Sequence, residues 1–156
     1  MQGNPQVIAN FRQALPLEAQ LNIQYRMDLQ LIKFLGAKKL AGKFHKFGDD
    51  AHDWMKAVTK QILFLTGDRA TEGYQMGPIV EPPTLTALFE DSLSREARIC
   101  DLYETFIPVA MNALDDQSRN LWEHLIKWHR THQLWLEQQL AIITALNERE
   151  YLAEKL

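Results

Sequence analysis

The sequence holds a single cysteine, Cys100, so no intramolecular disulfide can form, and a lone thiol fits a reducing compartment. Long hydrophobic runs are missing. No uninterrupted apolar stretch approaches the roughly 18–20 residues that a spanning helix needs, and no apolar leader precedes the first amphipathic segment. No membrane partner is therefore expected, and the cytoplasm is the expected location. Neither sign of charge dominates: 17 basic residues against 20 acidic ones leave a net charge of −3. No basic patch stands out, which argues against nucleic acid as a partner. Glycine and proline are scarce and unevenly spread. Of seven glycines and six prolines, three of each fall between residues 67 and 83.

What remains is helix-forming sequence on either side of that breaker-rich segment. With 156 residues, 46% apolar and 24% charged, the chain is the size of one globular domain, residues 1–156, with a core of its own. Asn4-Pro5 reads as a helix start, and Ile8, Phe11, Leu15, Glu18, Asn22, Tyr25, Leu29 and Ile32 repeat in steps of three and four up to Gly36. Pro16 predicts a kink or a lost backbone bond within that helix. A second stripe runs from Leu40 through Phe44, Phe47, Ala51, Trp54, Val58 and Ile62 to Leu65 and closes at Gly67. Asp49, Asp50, His52 and Asp53 flank it, so Asp50 reads as solvated polar surface. Residues 67 to 83 predict an irregular crossover. Thr84 opens a third stripe through Leu88, Glu96, Cys100, Tyr103 and Ile107, with Pro108 as a second expected kink. The fourth helix is expected over 117 to 146, and a short terminal one over 149 to 156. Two helices, a long crossover and two more helices predict an all-α, ferritin-like antiparallel four-helix bundle with a short fifth helix.

Four ionisable residues interrupt the apolar stripes. Glu18 and Glu96 lie on core faces of the first and third helices. His129 and His132, three residues apart, share the core face of the fourth. A buried polar group is costly unless something satisfies it. Two carboxylates and two imidazoles form a first shell suited to iron(II), zinc(II) or manganese(II). Equally, Glu–His pairs can satisfy each other without a metal. Tyr25 reads either as a hydrogen-bond donor to a carboxylate of the cluster or as a core tyrosine. The tryptophans at 54, 122, 128 and 135 read as packing, and Cys100 as a core thiol.

From end to end the chain resembles bacterioferritin. Leu17-Glu-Ala-Gln-Leu-Asn-Ile-Gln-Tyr25 resembles that family's first ligand helix, and Ile62-Leu-Phe-Leu-Thr-Gly67 the close of its second. Leu134-Trp-Leu-Glu-Gln-Gln-Leu140 and Tyr151-Leu152 resemble its fourth and fifth helices. The resemblance implies an iron-storing, homo-oligomeric cage of 24 subunits, with a di-iron ferroxidase site inside each bundle and haem at a twofold interface. That site takes one Glu from each of two helices and Glu-x-x-His from each of the other two. Glu18, Glu96 and His132 match it. A histidine, His129, replaces one bridging glutamate, and Ala51 and Trp54 stand where the second helix would supply its pair.

Two glutamates cannot neutralise two divalent cations, and a neutral imidazole cannot bridge them. The expectation is therefore an iron-storage or iron-homeostasis subunit with a degenerate ferroxidase site. At most one metal, iron or another divalent ion such as zinc, would sit on Glu18, Glu96, His129 and His132. The cage would be mixed with a catalytically intact paralogue. Two other readings remain open. One is a mononuclear two-His, carboxylate metalloenzyme that oxidises iron slowly or consumes peroxide. The other is a haem-binding, electron-transfer module using His52, which stands where the resemblance places a haem-ligating methionine.

Overall fold

The computed structural model describes residues 3–156. Five helices make up the regular structure of that span: α1 (Pro5–Phe34), α2 (Lys38–Thr66), α3 (Leu85–Asn112), α4 (Asp116–Leu146) and α5 (Glu148–Glu154). The bundle with a long crossover and short fifth helix is as the periodicity predicts. None of the helices is long and apolar enough to cross a membrane.

Local chemistry sets the boundaries. The Asn4 side chain accepts from the backbone N–H groups of Gln6 and Val7 at 2.9 and 3.2 Å, and Pro5 follows where a missing N–H costs nothing. Gly36, at φ 82°, and Gly67, at φ 64°, turn the chain out of α1 and α2 in the left-handed region that β-carbons disfavour. Helix α4 opens one residue before the expected 117, because the Asp115 carboxylate caps it by accepting from Ser118 N at 2.9 Å. Helix α5 spans Glu148–Glu154 rather than 149 to 156, with Asn147 accepting from Glu150 N at 3.0 Å. Pro16 and Pro108 are both accommodated inside unbroken helices.

Helix α1 packs chiefly on α2, and α3 on α4, so the bundle is two hairpins pressed together. Phe11, Trp122 and Tyr103 fill one end, with Phe11 and Trp122 stacked at 4.0 Å. Phe44, Phe47, Phe89 and Trp135 fill the other. The ionisable cluster lies between these two aromatic layers. Helix α5 folds back to close its end: Tyr151 donates to Gln139 Oε1 at 2.6 Å, and Glu148 Oε1 accepts from both N and Oγ1 of Thr86 in the first turn of α3.

The crossover is tied down from α1. The buried Gln24 amide donates to Val80 O at 2.8 Å and accepts from Val80 N at 3.0 Å, while its Nε2 also donates to Asp28 Oδ1 at 2.9 Å. Asp28 is 1% exposed, its second oxygen has no partner, and burial, with Asp91 nearby, pushes its carboxyl up to about 7. An acid raised from its ordinary value near 3.8 favours the folded chain less as pH climbs from there to about 7. Asp28→Asn is therefore expected to stabilise the protein by about 1–3 kcal/mol at pH 8. The gain should shrink as the pH is lowered toward about 4, and thermal melts at the two pH values check this.

Candidate metal centre

The four residues singled out in the sequence meet in the middle of the bundle, and all four are buried. Their arrangement is a chain of hydrogen bonds. His129 Nε2 lies 2.6 Å from Glu18 Oε1, and its Nδ1 lies 2.6 Å from Glu96 Oε2. Both ring nitrogens thus donate to carboxylates, and the ring is an imidazolium. Burial alone would lower its pKa, but the flanking Glu18 and Glu96 charges and the bonds to them raise it to about 10. Burial likewise pushes Glu96 up, and the His129 charge with the bonds from His129 and His132 outweighs it, holding that carboxyl down near 2.

Two tyrosines complete the carboxylates. Tyr103 donates to Glu18 Oε1 at 2.6 Å, and Tyr25 donates to Glu96 Oε1. Burial, reinforced by these carboxylates, drives both phenols well above their usual range, so they serve as neutral donors. His132 Nδ1 faces Glu96 Oε1 at 2.9 Å, and its Nε2 faces Asp50 Oδ2 at 2.9 Å. The network therefore runs from Tyr103 at one end to Asp50 at the other. There a cavity of about 430 Å³, lined by Lys46, Asp50, Asp53, Trp54, Trp128 and His132, meets it from outside.

Asp50 corrects the sequence reading. It is not merely solvated surface: its side chain is 25% exposed and engages both His132 and Lys46, the latter at 2.9 Å. Burial raises its pKa, yet those two bonds bring it below the ordinary carboxylate value. Tyr103, read only as a core residue, is also part of the network. The signal for it was present, since it falls seven residues, two helical turns, beyond Glu96 on the same face. Trp128 packs at the edge of the bundle, 38% exposed and stacked over Trp54 at 6.3 Å.

Helix α2 contributes bulk where the resemblance would place ligands. Ala51 is fully buried, and the Trp54 indole sits 4.3 Å from the His129 ring and 4.8 Å from that of His132. Phe47 stacks on the opposite side of His132 at 3.8 Å. A pair of bridged metals does not fit these residues, because the indole fills the space on the α2 side and the nearest α2 carboxylate, Asp50, is engaged by His132 and Lys46. For a single divalent ion the donor types are suitable, and Glu18 Oε2 is buried with no partner, an acceptor open to a cation. The donors nevertheless face one another: among the described residues, no three His, Cys, Asp or Glu side chains converge as a metal cage. An ion would have to displace hydrogens from His129. His52 stands apart, exposed on the outside of α2 and without a hydrogen-bond partner among the described residues. Cys100 is buried, its thiol pushed up to about 12 by burial, and it is inert packing.

By architecture this is a ferritin-like bundle. The likeness to bacterioferritin runs the whole length of the chain. It is 28% identical to a bacterioferritin of Mycobacterium leprae over 99% of this chain and 96% of that protein. In structure it matches a Mycobacterium tuberculosis bacterioferritin with a TM-score of 0.93 at 25% identity, covering 100% and 97% of the two chains. A Rhodobacter capsulatus bacterioferritin, described with a metal-free dinuclear site and haem iron, matches with a TM-score of 0.93 at 23% identity over 99% and 96%, a likeness of fold. No family model matches the chain.

The imidazolium neutralises buried charge, so removing it leaves two carboxylates in the core. His129→Leu should cost about 3–5 kcal/mol in denaturant unfolding. The folded chain keeps this proton up to about pH 10, the unfolded chain only to its ordinary value near 6.5. Its stabilisation is therefore complete below about 6.5 and lost as pH rises through 10. Melting temperatures of the unmodified chain should fall across that window, whereas those of His129→Leu should not follow the same slope.

Proposed function

We propose that this protein is a bacterioferritin-like subunit for iron storage and iron homeostasis whose ferroxidase centre is altered beyond dinuclear chemistry. The observation that carries this reading is the Glu18–His129–Glu96 bridge with Trp54 seated against both imidazoles. Whole-length similarity to bacterioferritins supports the storage role, and the site chemistry supports the loss of two-metal oxidation. A protonated ring takes the position between the glutamates at which a dinuclear site needs a bridging carboxylate.

At most one metal, iron or zinc, would bind per bundle, held by Glu18, Glu96, His129 and His132 in exchange for protons. Bound there, the ion would supply Lewis acidity or one-electron redox chemistry. What the chain itself does is hold two buried carboxylates apart with a fixed cation, add a hydrogen bond to each from Tyr25 and Tyr103, and fill the α2 side with Trp54. Iron(II) is then cargo, oxidised by an intact paralogue in a mixed, 24-subunit cytoplasmic cage whose subunits share one fold. A secondary role is favoured by one observation: His52 is exposed and, among the described residues, unengaged, so it could ligate haem where two α2 faces meet, and a bacterioferritin of similar fold is described with haem iron.

Anaerobic metal titration and oxygen-driven iron(II) oxidation of the assembled particle test the main reading. The expected result is no more than one tightly bound divalent ion per chain and oxidation close to that of buffer. Each ion taken up should release protons. In the triple variant Ala51→Glu, Trp54→His, His129→Glu, two-metal binding and rapid oxidation should return. Two tightly bound ions and fast turnover in the unmodified chain would overturn the proposal. For His52, a haem titration followed by reduced-minus-oxidised spectra should give a bis-histidine signature that His52→Ala abolishes.

A further inference from the structure

A second cavity lies on the other side of α1 from α2, and nothing in the storage role uses it. It measures about 520 Å³ and lies between α1 and α3 under the crossover. That is within the range of small-molecule sites. Leu17 and Leu21 from α1, with Ile99 and Leu102 from α3, make an apolar floor. Its roof is the Gly77–Val80 stretch, pinned twice from one face of α1. Gln20 Nε2 donates to Pro78 O at 2.7 Å, and Gln24 makes its paired bonds to Val80 one turn further on. A Cβ on Gly77 would lie 3.0 Å from Gln20 Nε2, so glycine is what lets the roof come this close. The cavity is thus built into the fold.

The net charge at its rim is positive. Asp91, the one acid lining it, is neutralised by Arg95, whose Nε donates to Asp91 Oδ2 at 2.8 Å. Arg98, one turn along α3 from Arg95, also lines the cavity. Its Nε donates to Ser94 O at 3.3 Å, while its terminal nitrogens have no partner, and no carboxylate pairs with it, among the described residues. The lining therefore carries one uncompensated cation beside an apolar floor.

We propose that this cavity binds an amphipathic anion, a carboxylate or phosphate head on a medium-length hydrocarbon tail. The head meets the Arg98 guanidinium, whose planar fork suits such oxygens, and the tail lies on Leu17, Leu21, Ile99 and Leu102. Charge complementarity selects the head, and the apolar floor selects the tail.

Calorimetric titration of the assembled protein with octanoate, octyl phosphate, inorganic phosphate and octanol tests both halves. Saturable binding of octanoate or octyl phosphate at one per chain is expected, with inorganic phosphate and octanol at least about tenfold weaker. A tighter octanoate would indicate a free fatty acid as the source, a tighter octyl phosphate a phosphate ester. Arg98→Gln, at an exposed position that folding does not depend on, should weaken the binding by about tenfold or more. Leu102→Glu should abolish it with the thermal melt retained, and Arg149→Gln, on α5, should leave it unchanged. Absence of binding at millimolar octanoate and octyl phosphate overturns the proposal. So does binding that Arg98→Gln leaves intact, or inorganic phosphate binding as tightly as octyl phosphate.

Discussion

The interaction on which the rest of this protein depends is the His129 ring between two buried glutamates. A carboxylate in a dry core carries a large desolvation cost, and two at mid-bundle would expel each other unless a cation lay between them. Here the chain supplies that cation from its own fourth helix, at 2.6 Å from each partner. Everything near the site follows from it. The tyrosines have to be neutral donors, because the carboxylate oxygens they face are charged. Trp54 can lie against the rings because no second ion needs the space. The aromatic layers above and below keep the dielectric low, which strengthens the pairing they surround.

An imidazolium does the electrostatic work of a metal with none of its redox chemistry. It is also permanent, being part of the chain, whereas a metal site is only as stable as its occupancy. A subunit of this kind keeps the shape of a ferritin-like bundle without depending on iron to fold. Under the proposed function, metal binding would compete with the proton on His129, and the network meets the outer cavity at Asp50 and His132.

Helix α1 organises the molecule on its other face as well. Gln20, Gln24 and Asp28 follow one another at single-turn spacing, and the two amides hold the crossover that joins the hairpins. The segment richest in glycine and proline is the one whose backbone groups have no helix to satisfy them. Side chains from α1 do so instead, which fixes the roof of the cavity between α1 and α3.

Much of this was legible from residue order. Helical periodicity is a local property, so the four long helices, the crossover and the core faces of Glu18, Glu96, His129 and His132 could be read directly. The absence of ligands at Ala51 and Trp54 could be read once the second helix was in register with its closing motif. Asp50 was harder. It flanks the buried stripe by one residue, about 100° round the helix, and only the approach of α4 decides that its carboxylate reaches His132. Likewise, whether Trp128 is packed or half exposed depends on which neighbours arrive. By itself the sequence determined which groups would be buried together and that their charges would need an answer. Tertiary structure alone decided the answer, because a hydrogen bond or an ion pair across helices is set by distances of a few tenths of an ångström that no spacing along one chain can encode.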